Sequence, residues 1–343
     1  MRAVTAGWLE NRNLDLAFIG GCLLLASLTV GIVLARPDLF VHLMLIDIWL
    51  LGYHHVISTY TKMAGTAQDR KNNVTLIWVW LPLMVGLTLA LGLSYGTIVV
   101  VTVYFFWQWF HYVRQSWGIA QRYRRKAGGM PWDNERLSEI TLWSIPVWGI
   151  LNRCYQQPET FLTLPIWTPA VPLLMVQVAG VISIALVAWW VVTRLRAWQR
   201  GELALGHTLF MATHMGVFLC GYVLIDNINT GWLMANVWHN SQYIFFVWLH
   251  NRQRFASGVS PEAPRLSWLS QPGPERAFAY FVVCVGLSSI AYVTLHTVGA
   301  ELNQVTQTTA VSFVVIFSMA INFHHYVVDG IIWKRRREAA LAK

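Results

Sequence analysis

Hydrophobic residues run through this chain in long unbroken stretches, separated by short polar ones. An α-helix needs roughly 20 mostly apolar residues to cross about 30 Å of hydrocarbon. On that scale the pattern predicts about ten helices, near 14–35, 39–62, 74–94, 96–118, 138–153, 168–193, 206–224, 230–250, 277–298 and 307–332. The fifth is the shortest. The first is too long for the apolar core of a signal peptide and no small-residue cleavage pattern follows it, so it is expected to stay as an anchor.

Composition supports the same reading. The chain is 56% hydrophobic and 12% charged, about half the charge fraction of a soluble domain. The expected fold is therefore an all-α, polytopic transmembrane helix bundle, with 1–343 forming a single integral membrane domain. No internal repeat, low-complexity tract or soluble domain interrupts it, and the longest connectors are proline-bearing, as in "GVSPEAPRLSWLSQPGPER". Cys22, Cys154, Cys220 and Cys284 show no paired spacing and read as packing residues.

The formal net charge of +9 would suggest nucleic acid in a soluble protein; here its distribution sets topology instead, and no nucleic-acid partner is expected. With ten crossings, Lys62, Arg70 and Lys71, then Arg122, Arg124, Arg125 and Lys126, share one side with Arg194, Arg196 and Arg200. Arg252, Arg254, Arg265 and the run from Lys334 to Arg337 fall there too, as do Arg2 and Arg12. Only Arg36 and Arg153 fall opposite. By the positive-inside rule both termini are cytoplasmic, with loops near 63–73, 119–137, 194–205 and 251–276 and a basic tail at 334–343. Dropping the fifth helix alone would move Arg194, Arg196 and Arg200 outside, so it is kept. The expected location is the inner (cytoplasmic) membrane, multi-pass, with the tryptophans as interfacial belts and the tail against anionic lipid.

Against that frame the eleven histidines are unevenly placed. His54 and His55 lie about two turns before Lys62, and His111 sits at similar depth on the fourth helix. His324 and His325 precede Lys334 by about two and a half turns. His239 is near mid-membrane, His250 at the inner edge, and His207 and His214 are on the seventh helix; only His42 and His296 point toward the outer side. Residues three, four or seven apart share a helix face. Asp47 with His54, then Gln108, His111 and Gln115, then Asn236, His239, Tyr243 and His250, and finally Asn322, His325 and Asp329, form polar stripes expected to face the bundle interior.

Ionisable side chains in a membrane are costly and mark functional sites, and imidazole is a ready ligand for zinc, copper, iron and nickel. A metal site built from His54, His111, His239 and His324 is expected, with His55 and His325 as alternates within each doublet and Asp329 and Asp47 orienting ligands or bridging a second ion. The lack of Cys-Cys or Cys-His spacing argues against structural zinc. Ferrous iron, as a mono- or di-iron centre, would suit oxygen chemistry on a lipophilic substrate. Two rival readings use the same histidines: haem ligation or metal transport, and interhelical hydrogen bonding in a scaffold. His207 and His250 fit the last best, whereas hydrogen bonding does not call for doubled histidines at matching depth on two helices.

The order of four stretches, "GYHHVIST" with His54 and His55, "WFHYVRQ" with His111, "VWHNSQYIFFVWLH" with His239 and His250, and "NFHHYVVD" with His324, resembles the Brp/Blh-like family of bacterial membrane β-carotene cleavage oxygenases. Gly52-Tyr53-His54 stands where that family has a Pro-His-Gly type of motif. The resemblance implies an iron-bound, four-His-like site and oxidative cleavage of a polyene by O2. The membrane fatty-acid desaturases and hydroxylases are a second comparison, but their HxxHH boxes are missing, with Leu51 and Ile321 at the upstream positions. For the last doublet, the stripe with Asp329 favours His325 and the family resemblance favours His324.

Overall fold

The computed structural model describes residues 6–128, 134–307 and 311–333. Arg2, residues 129–133 and the basic tail from Lys334 lie outside the described residues. Among those described, ten helices of 20 residues or more follow one another: α1 Arg12–Ala35, α2 Pro37–Met63, α3 Leu76–Tyr95, α4 Thr97–Lys126, α5 Glu135–Gln156, α6 Leu173–Gln199, α7 Leu205–Leu224, α8 Ile228–Arg254, α9 Pro274–Thr306 and α10 Phe313–Ile332. The only strands among the described residues are Thr160–Phe161 and Leu164–Pro165, a two-residue hairpin between α5 and α6. The fold is all-α.

Seven of these helices, α1, α2, α3, α6, α7, α9 and α10, are long and apolar enough to cross a membrane. The exposed side chains fit a lipid solvent: Leu24, Leu28 and Leu34 on α1, Leu174, Val181 and Trp189 on α6, and Ile290 on α9 are all more than half exposed. This is a multi-pass membrane protein. α4, α5 and α8 are as long but less apolar. On α4 and α8 the reason is a buried set of polar residues, Gln108, His111 and Gln115 on one and Asn236, His239, Asn240 and Gln242 on the other. Such residues lower mean hydropathy without touching lipid.

The helices differ from the sequence expectation mainly at their ends. α6 begins at Leu173, not 168, because Pro169 and Pro172 keep the preceding apolar residues out of the helix. α4 continues to Lys126, so much of the expected 119–137 loop is helical. The 63–73 connector holds a short helix, Ala67–Asn72, started by a reciprocal Thr66–Asp69 capping box, and the 251–276 connector holds another, Pro264–Leu269.

The chain divides into two compact units, Met1–Phe40 with Gln108–His239, and Val41–Trp107 with Asn240–Lys343. In the first unit small residues let helices approach closely. Gly180 on α6 packs on the indole of Trp148 on α5, Gly149 on Tyr222, and the Ser183 hydroxyl donates to the Ser144 carbonyl at 2.9 Å. Gly221 on α7 and Gly231 on α8 meet backbone to backbone: a Cβ at Gly231 would collide with the Gly221 oxygen. Gly231→Ala therefore has to push two main chains apart. It is expected to cost about 1–3 kcal/mol, the usual range for overpacking, read as a lower thermal midpoint in detergent; an unchanged midpoint would contradict this packing.

α7 ends in a wide π-helical turn, Cys220–Leu224, whose terminal carbonyls need donors from elsewhere. Arg153 on α5 supplies them. Its guanidinium, fully buried, donates to the carbonyls of Gly221 at 2.7 Å, Ile225 at 2.5 Å and Asp226 at 2.6 Å, and to Gln156 Oε1 at 2.7 Å. One of the two basic residues that broke the sequence's charge pattern is thus a buried clamp, not a marker of a loop's side.

In the second unit α10 packs on α2, α3 and α9. Gly92 on α3 accepts the side chain of Ile316, and Gly299 on α9 accepts the backbone at Val314. Asn303 holds the start of α10, accepting from Phe313 N at 3.0 Å and donating to the Val311 carbonyl at 2.8 Å. At the other end Met63, Leu76, Val328 and Ile332 form a buried apolar cluster.

Candidate functional site

The second unit brings the two histidine doublets together in a selective way. Within α2 the stretch Ile48–Tyr53 is π-helical. A π turn inserts about one extra residue per turn and recurs at functional sites. It lies between Asp47 and His54, so the single stripe expected for that pair does not run straight through. Asp47, His54 and His55 are all buried. The His54 ring packs on Phe281 at 4.7 Å and Tyr280 at 6.5 Å on α9. The His55 ring lies 4.2 Å from the ring of Tyr243 on α8, and its Nε2 is 2.7 Å from Nε2 of His325 on α10.

His324, on the adjacent face, is engaged differently. Its Nε2 donates to the Leu76 carbonyl at 2.8 Å, which leaves Nδ1 to accept from the Tyr60 hydroxyl at 3.2 Å. Both nitrogens are used, and the ring ties α10 to the start of α3 and to α2. His325 and not His324 is therefore the member of the last doublet placed against His55.

Beyond His325 a chain of polar groups runs through the same unit. His325 Nδ1 is 3.0 Å from Thr59 Oγ1, and Thr59 Oγ1 is 3.0 Å from the Tyr243 hydroxyl. Tyr243 donates to Asp329 Oδ1 at 2.6 Å, and so does the Trp333 indole at 2.6 Å. Lys62 donates to the Ile332 carbonyl at 2.6 Å and stands 3.6 Å over the Trp333 ring. Helical spacing explains the assembly: Thr59 and Lys62 are four and seven residues after His55, while Asp329 is four after His325. The sequence pattern singles out Asp329 and puts Tyr243 on a stripe. Lys62 reads there only as a loop-side marker, and Thr59 and Trp333 carry no signal, because a hydroxyl four residues from a histidine is unremarkable in sequence until its partner is known.

In the first unit polar residues of α4 and α8 come together. The rings of His111 and His239 are 5.0 Å apart, nearly perpendicular, and the Tyr112 ring lies 3.9 Å from that of His239. Tyr112 donates to Asn236 Oδ1, Gln108 donates to the same oxygen at 3.4 Å, and Trp232 donates to Gln108 Oε1 at 2.8 Å. These bonds fix Tyr112, whose ring lies against that of His239. Tyr112 is the residue sequence reasoning overlooked here.

The other histidines have separate settings. His214 lies 3.0 Å by Nε2 from the Leu142 carbonyl, and His250 packs edge-on to Trp333 at 5.3 Å. His207 is fully buried on α7. His296 reaches the Tyr53 hydroxyl at 3.4 Å and Ser318 at 3.2 Å, and His42 is exposed. Within each unit the imidazoles brought together are His55 with His325 and His111 with His239. The donors are all imidazole, with no thiolate among them, which suits iron, copper or nickel as well as zinc. No protein-family model, curated protein or solved structure matches the chain, so its function has to be argued from these side chains.

Proposed function

We propose that the protein is a membrane-embedded polyhistidine non-haem iron oxygenase that oxidises or cleaves a lipophilic substrate, carotenoid or lipid-like. In this reading it sits in the cytoplasmic membrane with about ten crossings and both termini cytoplasmic. The observation that carries the proposal is the His55–His325 pair, buried and facing Nε2 to Nε2 at 2.7 Å. Two nitrogens that each lie about 2.0–2.1 Å from one ion are about 3 Å apart, so little movement separates this pose from shared ligation. His111 and His239 are the second pair of imidazoles of the proposal.

Iron, when bound, supplies the redox chemistry that activates dioxygen. The chain's own contribution is to present ring nitrogens and keep water away from them. The rings of Tyr243 and Tyr112 cover His55 and His239. Thr59 engages the far nitrogen of His325. Substrate dissolved in the bilayer meets the apolar faces of the exposed helices without first crossing water.

The reading is tested by oxygen uptake. Protein loaded with ferrous iron and placed in liposomes is expected to consume O2 only when a carotenoid or an unsaturated acyl lipid is supplied, with matching loss of the polyene or alkene. Iron flux across the liposome membrane without oxygen uptake would make it a carrier instead.

A further inference from the structure

The chain of polar groups behind His325 has a direction, because each hydroxyl has one proton to give. The Trp333 indole can only donate, so Asp329 Oδ1, 2.6 Å from it, is an acceptor there. Tyr243, 2.6 Å from the same oxygen, gives its proton to that carboxylate. Its oxygen is then left to accept, and the 3.0 Å contact with Thr59 makes Thr59 the donor. The competing acceptor for the Thr59 proton, the His55 carbonyl, is farther off at 3.4 Å and already accepts from Ser58 at 2.8 Å. With its proton spent on Tyr243, Thr59 can only accept at its 3.0 Å contact with His325 Nδ1.

We infer that Asp329, acting through Tyr243 and Thr59, fixes His325 as the tautomer protonated on Nδ1, so that the lone pair of Nε2 is turned toward His55. The sequence put Asp329 forward as orienting a ligand or bridging a second ion; here two hydroxyls stand between it and His325. Thr59, Tyr243 and Asp329 are positioning residues, and Trp333 anchors the chain at its far end. As far as it concerns metal, the inference rests on the proposed function. The tautomer itself does not.

Outer hydrogen bonds of this kind hold a ligand ring in orientation and raise its basicity, and losing one typically weakens metal binding 10–100-fold. The experiment is nitrogen-15 NMR of the metal-free, histidine-labelled full chain in detergent, with His325 assigned by difference from His325→Gln. It is followed by ferrous iron titration of the same samples. The wild type should show His325 protonated on Nδ1. Thr59→Val should lose that preference and bind ferrous iron about 10–100-fold more weakly, whereas Thr59→Ser, which keeps the hydroxyl, should retain both. A wild-type His325 protonated on Nε2 would overturn the inference, as would a Thr59→Val variant whose His325 stays protonated on Nδ1. Protonation on Nδ1 in a protein that binds no iron would uphold the inference and remove the proposed function.

Discussion

Alanine at His325 is expected to reduce the ferrous iron held by anaerobically reconstituted protein to background, while alanine at His324 leaves iron bound. The two residues are neighbours on one helix, but about 100° of rotation separates their side chains. His325 faces His55 with its Nε2, and its Nδ1 is taken by Thr59. His324 spends both nitrogens on Leu76 and Tyr60. Losing the first removes a ligand outright, an effect larger than the roughly 100-fold upper end for a lost outer hydrogen bond. Losing the second leaves a carbonyl and a hydroxyl without their partner, which costs about 1–3 kcal/mol of stability and should appear as a lower thermal midpoint. Iron content measured on both purified variants separates the two roles. Iron retained in His325→Ala and lost in His324→Ala would reverse the assignment.

Arg153→Leu is expected to be among the most destabilising single changes in the first unit. The guanidinium satisfies the carbonyls of Gly221, Ile225 and Asp226 at once, and leucine would leave all three without that donor, the one at Gly221 in a buried setting. Leaving a buried acceptor unsatisfied costs about 1–3 kcal/mol. Lysine should recover little, because a single ammonium cannot reproduce the planar fork that reaches three carbonyls. The measurement is thermal unfolding in detergent of the wild type and both variants. A Leu variant as stable as the wild type would show that Arg153 marks topology and does not clamp α7.

These two residues also show what the sequence could and could not reveal. The helical fold was legible because membrane-length apolar runs leave few alternatives, and the stripes of Gln108, His111, Gln115 and of Asn236 with His239 were legible because three- and four-residue spacing is a property of any regular helix. The choice within the His54–His55 doublet was not. It depends on the π-helical turn at Ile48–Tyr53, which shifts the register and leaves no mark in local composition. Arg153 read as an exception to a charge rule, since its partners are backbone carbonyls about seventy residues away and carry no sequence signature. Thr59 and Trp333 were passed over for the same reason. A donor becomes informative only when the fold supplies its acceptor.

The most direct test of the account is elemental analysis, combined with a visible spectrum, of the detergent-purified protein after anaerobic reconstitution with ferrous iron. Stoichiometric iron and no Soret band are expected. Protein with no bound iron, or with the Soret absorbance of a haem, would contradict it.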